Sequence, residues 1–198
     1  MHVLLDSAYN VLSRSEYLDS SGVSFGPDLP IPTNMHCMVA TELGTYSIGG
    51  YHDCWTDCDI GSKDTWFLAK NSATWVNGPN LTNTRKEHAC GLFTFSNTEV
   101  LIVAGGFTEN SSISTELLNL GETEDEKGWQ PGPQLPEELF MQGGHTIVSN
   151  GESLYYINTL ANVFYELTCP ESLTNCHWQA LHDVKLNHPR HLGVALML

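Results

Sequence analysis

Val100-Leu101-Ile102-Val103-Ala104 is an unbroken apolar run between Glu99 and Gly105-Gly106. Five apolar residues with no polar alternation, closed by glycines, predict a strand buried on both faces. Mixed segments surround it. One starts near Arg85 and runs through His88-Ala89-Cys90-Gly91-Leu92-Phe93, a second spans about Ser114 to Leu120, and a third centres on Trp129. Together they predict one four-stranded unit: an entry strand, the buried strand, a short apolar strand and a final strand marked by Trp. Gly132-Pro133 then predicts a tight turn into the next unit.

The same pattern returns along the chain. Strands are predicted at Met35 to Ala40, Tyr46 to Gly50 and Thr65 to Lys70, followed by Trp75. A further set is Gln142 to Val148, Ser153 to Asn158 and Val163 to Thr168, followed by Trp178, with Asn158 standing where Gly-Gly is expected. The chain opens inside a unit, with Val3-Leu4-Leu5, Ser15-Glu16-Tyr17-Leu18 and Val23-Ser24-Phe25, and it closes on a lone entry strand, Arg190 to Met197. The markers keep step. Leu29, Leu81, Leu135 and Leu186 are 52, 54 and 51 residues apart, and Gly49-Gly50 lies 56 before Gly105-Gly106. A period near 50 residues means that each repeat is one supersecondary unit, which buries its faces by stacking on its neighbours.

The expected fold is therefore all-β, built of four-stranded antiparallel units, about four unit equivalents in all. The divisions are a partial unit 1–28, units 29–80, 81–134 and 135–185, and a final strand 186–198. Two arrangements remain open. The last strand completes the first unit and closes a four-unit ring, or the chain is an arc of a larger ring. Closure protects sheet edges, and an arc exposes them.

Composition narrows the partners. The net charge of −15 repels phosphate backbones and anionic membranes, which excludes nucleic acid as an expected partner. No apolar run approaches the roughly 20 residues that span a bilayer, so no membrane insertion is expected. The start, Met1-His2-Val3-Leu4-Leu5-Asp6, lacks the basic segment of a signal peptide. Cys54/Cys58 and Cys169/Cys176 are closely spaced in predicted loops, as local disulfides would be, whereas Cys37 and Cys90 lie inside strand-like segments and read as buried thiols. Asn80-Leu81-Thr82 and Asn110-Ser111-Ser112 are glycosylation sequons. Paired cysteines with sequons favour a secreted or extracellular protein over a cytoplasmic one.

The spaced markers resemble kelch repeats. The entry Leu81-Thr82-Asn83-Thr84-Arg85-Lys86-Glu87-His88 is similar to a kelch blade entry, and it aligns with Leu29 through His36 and with Leu186-Asn187-His188-Pro189-Arg190. Gly-Gly after the second strand and Trp in the fourth complete the likeness, which covers essentially the whole chain. Thr33 and Leu139 depart from the pattern at the entry Arg position, and Gly-Gly is lost in the first and fourth units. The resemblance implies a β-propeller with the entry strand innermost, and a non-catalytic scaffold that presents its loops to a protein partner. It places Arg85, Tyr51, His52, Trp55, Phe107, Phe140 and Met141 on the face where kelch proteins bind partners. Exposed aromatics beside Arg suit a binding hot spot.

Other chemistry is weaker. His36 and His88 occupy equivalent positions, which the repeat alone explains without a metal. Asp53, Asp57 and Asp59 lack calcium-loop spacing, and the acidic run from Glu122 to Glu126 reads as a solvated tip. No nucleophile-elbow, nucleotide-loop or zinc-protease motif appears, so neither enzyme activity nor a cofactor is expected. The alternatives are an extracellular carbohydrate-active or copper radical oxidase-like propeller, and a structural secreted matrix component.

Overall fold

Buried apolar runs need partners on both faces, and the chain supplies them by stacking sheets. The computed structural model describes residues 2–5 (as backbone), 11–20, 22–52, 61–107, 113–123, 125, 127–136, 145–150, 153–159 and 161–185. The first sheet holds β1 (His2–Leu5), β2 (Val11–Asp19) and β3 (Gly22–Phe25). A short pair, β4 (Thr33–Asn34) with β7 (Tyr51–His52), stands beside the second sheet, which is β5 (Cys37–Ala40), β6 (Gly44–Ile48), β8 (Thr65–Ala69) and β9 (Val76–Asn77). The third is β10 (Ala89–Phe95), β11 (Thr98–Ala104), β12 (Thr115–Asn119) and β13 (Gln130–Pro131). The fourth is β14 (His145–Ser149), β15 (Leu154–Asn158), β16 (Val163–Thr168) and β17 (His177–Ala180). Every pairing is antiparallel, and within each of the four sheets the strands lie in sequence order, whereas the β4–β7 pair reaches across β5 and β6. Apart from one short 3-10 turn, Leu173–Asn175, the described residues hold no helix.

β11 shows why the apolar run pairs as it does. Val100 through Ala104 are all fully buried. Alternate residues face opposite ways, so Val100, Ile102 and Ala104 pack toward Leu154, Tyr156, Tyr165 and Trp178 of the fourth sheet. Leu101 and Val103 pack the other way, against Val39, Tyr46 and Ile48 of the second. Leu29, Leu68 and Trp75 form a third cluster on the far side of the second sheet. The β10–β11 hairpin turns on Ser96 and Asn97, both at positive φ (49° and 63°), as the twist-matched two-residue turn demands.

Entry strands are shorter than the pattern predicts. The segments expected to run from Met35 and from Arg85 become regular only at Cys37 and Ala89. Met35 (φ 51°) and Glu87 (φ 53°) hold equivalent positions, and both turn left-handed there. Each interrupts the extended backbone, and the Glu87 amide donates to the Met35 carbonyl at 2.9 Å, tying the two repeats together.

The cysteine expectation needs one correction. Cys37 and Cys90, expected as separate buried thiols, form a disulfide between β5 and β10, with Cα atoms 5.9 Å apart. The entry strands of adjacent sheets run side by side, and that brings together residues 53 positions apart in sequence. Cys169 and Cys176 are bonded as expected. Cys54 and Cys58 lie outside the described residues.

Candidate functional site

Two glycine turns set the geometry of one end of the sheets. Gly50 (φ 101°) follows β6, and Gly106 (φ 79°) follows β11. A methyl group on Gly50 would come within 2.6 Å of His36 Cβ, and one on Gly106 within 2.8 Å of His88 Cβ. Only glycine combines that backbone with that approach. Each turn throws an aromatic residue back toward the entry segment of a repeat. Tyr51 pairs with Asn34 across β4 and β7, and Phe107 forms a bridge with Lys86. The Lys86 amide donates to the Phe107 carbonyl at 3.1 Å, and the Phe107 amide returns a bond at 2.9 Å.

Lys86 consequently lies between the two rings. Its ammonium is 5.2 Å from the Tyr51 ring centre and 5.4 Å from that of Phe107, within cation–π range of both. His52 stands beside Tyr51 and faces Asp64, with Nε2 3.4 Å from the carboxylate. Met35 is 47% exposed at the same entry segments. Of the residues expected on one face, Tyr51 and Phe107 meet at Lys86, while His52 pairs with Asp64. No sequence motif singles out Lys86 or Asp64. The recurrence of an aromatic residue after Gly-Gly is the sequence signal for Tyr51 and Phe107. Trp55, Phe140, Met141, Asn110 and the Asp53, Asp57 and Asp59 loop lie outside the described residues. Asn80 is exposed, just after Pro79.

Arg85 requires a second correction. Expected as an exposed partner contact, it has no exposed surface at all. Its Nε donates to Glu116 Oε1 at 3.0 Å, and Nη2 is 3.0 Å from the same oxygen. Nη1 donates to the carbonyls of Gly105 and Ser114, both at 3.0 Å, and Nη2 donates to Ser114 Oγ at 2.8 Å. Glu116 also accepts from the Thr82 amide and hydroxyl through Oε2. A buried ion pair persists when its remaining donors and acceptors are satisfied, as they are here. Burial draws the guanidinium pKa below its usual value, and Glu116 opposes that shift. Arg85 therefore anchors the turn after β11 instead of reaching outward.

Beneath this end lie the entry histidines. Burial lowers the His36 imidazole to about 4. Burial, then the Arg85 charge, then His36 and His145, take His88 to about 3. Burial also lowers His145, whose Nδ1 meets the Tyr156 hydroxyl. All three are neutral imidazoles at neutral pH. Among the described residues, no three His, Cys, Asp or Glu side chains gather to hold a metal ion.

The molecule defined by this geometry is an array of stacked antiparallel sheets with an aromatic–lysine clasp at one end. Among solved structures, one described as the structure of YjhT is similar over 95% of this chain, with a TM-score of 0.68 at 14% sequence identity. That likeness shows a shared fold, and the chain spans 62% of the length of that structure. No protein-family model matches the chain, and no curated protein does.

Proposed function

We propose that the chain is a kelch-like β-propeller array that acts as a non-catalytic protein-binding scaffold, with the end bearing Tyr51, Phe107 and Lys86 as its contact face. Support comes from one observation. Two aromatic side chains recur at the same position in adjacent repeats, and both close on a single lysine. Half-buried aromatics held in place by backbone pairing offer contact area at low entropic cost, as binding hot spots do. Met35 extends the same surface with an exposed apolar side chain. The two disulfides favour an oxidising, extracellular setting for the partner as well.

The test compares the wild-type protein with a Tyr51→Ala/Phe107→Ala variant as immobilised bait in extracellular fluid from its native source. A protein retained by the wild type and lost by an equally folded variant supports the assignment. Retention by both, with equal affinity, overturns the contact face.

A further inference from the structure

Backbone pairing holds both rings of the aromatic–lysine clasp. Tyr51 lies in β7, opposite Asn34, and Phe107 exchanges two backbone bonds with Lys86. The glycine turns that aim the rings leave no room for a side chain of their own. The walls of the clasp are therefore set by the chain itself, whatever lies between them. The occupant is set by much less. Lys86 reaches the gap on a flexible four-carbon stem, and Tyr51, Lys86 and Phe107 are all half-buried, so each keeps part of its surface open to solvent.

The gap suits a cation, and not only an ammonium. A positive group held 5.2 Å from one ring centre and 5.4 Å from the other lies within cation–π range of both. Guanidinium fits such a place better. It is planar, stacks on aromatic faces and is more weakly hydrated than ammonium, which returns to water at little cost. Charge points the same way. The chain has 23 acidic against 8 basic residues, and its net charge of −15 draws cationic partners. Close to the clasp, Glu87 follows Lys86 in the chain, and Asp64, beside His52, keeps 34% of its side chain exposed. An acidic partner would have to approach against that field.

We propose that Tyr51 and Phe107 form a cation cage in which Lys86 is the resting occupant, and that the partner is a basic segment whose arginine takes its place. This rests on the contact face proposed above and names the chemistry of what binds there. Lys86 covers the two rings while the face is empty, and its ammonium is rehydrated on displacement. Binding is then an exchange of cations, and selectivity comes from the difference between the two.

The test is titration of a short blocked peptide carrying one arginine among glycines and serines, followed through the ring NMR signals of Tyr51 and Phe107. Those signals should move in the wild type. Lys86→Ala keeps the backbone bridge and vacates the cage, so it should tighten binding about tenfold, the equivalent of one to two cation–π contacts. Should Lys86→Ala fail to fold, Lys86→Gln removes the charge on a similar stem and carries the same expectation. Lys86→Arg, which seats a guanidinium already, should weaken binding. Lys70→Ala removes an exposed lysine elsewhere and makes the same change in net charge; a gain equal to that of Lys86→Ala shows general attraction only and overturns the cage. Ring signals that stay still in Lys86→Ala overturn it too. So does a glutamate version of the peptide that binds the wild type and is lost in Lys86→Ala. Capture of the native partner separates the exchange from the contact face. If capture needs Tyr51 and Phe107 but falls in Lys86→Ala, the contact face stands and the exchange is overturned. If capture ignores all three side chains, both are overturned.

Discussion

The Trp129 indole donates its Nε1 hydrogen to the Pro79 carbonyl at 3.0 Å. The same bond recurs from Trp75 to Pro27 (3.0 Å) and from Trp178 to Pro133 (2.9 Å). Each spans a repeat boundary. The tryptophan sits at the last strand of one unit and reaches back to the Gly-Pro turn through which the chain entered it. The proline ring cannot donate a backbone hydrogen bond, but its carbonyl stays free to accept one. Strand-end tryptophan and turn proline thus form one device, and the period of the sequence is the period of this clasp.

Trp129→Ala should therefore cost about 3–5 kcal/mol, because it removes a side chain that is only 3% exposed and leaves a cavity beside Leu81 and Leu118. Trp129→Phe keeps most of the volume and loses the hydrogen bond, so its cost should be smaller. Chemical denaturation measures both. A loss below about 1 kcal/mol for the alanine variant would show that Trp129 does not anchor the seam.

Arg85→Ala should destabilise the fold by about 3–5 kcal/mol, since it leaves the Glu116 carboxylate buried without its counter-charge. Arg85→Leu combined with Glu116→Met should be much milder, because the second and fourth sheets manage without the pair. Denaturant titration of the two variants and the wild type decides the point. A single variant as stable as the double would mean that Glu116 finds other partners.

Much of the architecture is legible in the sequence because it rests on local signals. The apolar run at Val100–Ala104, the glycine pairs and the spaced tryptophans each report a strand or turn where it occurs, and β16 falls on Val163–Thr168 as the pattern predicts. What stays hidden depends on neighbours. Arg85 reads as exposed because polarity is judged residue by residue, whereas its burial is set by Glu116, 31 positions later. Cys37 and Cys90 read as unrelated thiols because nothing in either strand announces that the two run side by side. Lys86 passes unnoticed because a single lysine carries no pattern until Tyr51 and Phe107 enclose it.

The buried imidazoles should make the protein acid-sensitive. His36 titrates near 4 and His88 near 3 in the folded chain, against about 6.5 when unfolded. Well above pH 6.5 neither state binds the proton, and stability is unaffected. Below it the unfolded chain takes up protons that the folded chain refuses, so stability falls with pH until the folded values are reached. For His36 alone the loss between pH 7 and pH 4 is roughly 3 kcal/mol. Carboxylates also titrate in that window, so the check is a difference. His36→Gln should narrow the gap in unfolding midpoint between pH 7 and pH 4, and an unchanged gap would remove His36 as the cause.

The Cys37–Cys90 bridge closes a loop across 53 positions between two sheets that otherwise meet through packing and backbone bonds. Loop-closure entropy for that length gives about 4 kcal/mol. Cys37→Ser/Cys90→Ser should lower stability by about that amount, while Cys169→Ser/Cys176→Ser, which opens a loop of only 7 positions, should cost less. Peptide mapping without reduction establishes the pairing first: a fragment joining Cys37 to Cys90 is expected, and one joining either to another cysteine would contradict the seam between β5 and β10. Unfolding of the two double-serine variants then ranks the bridges, and the longer loop should dominate because its removal returns the most freedom to the unfolded chain.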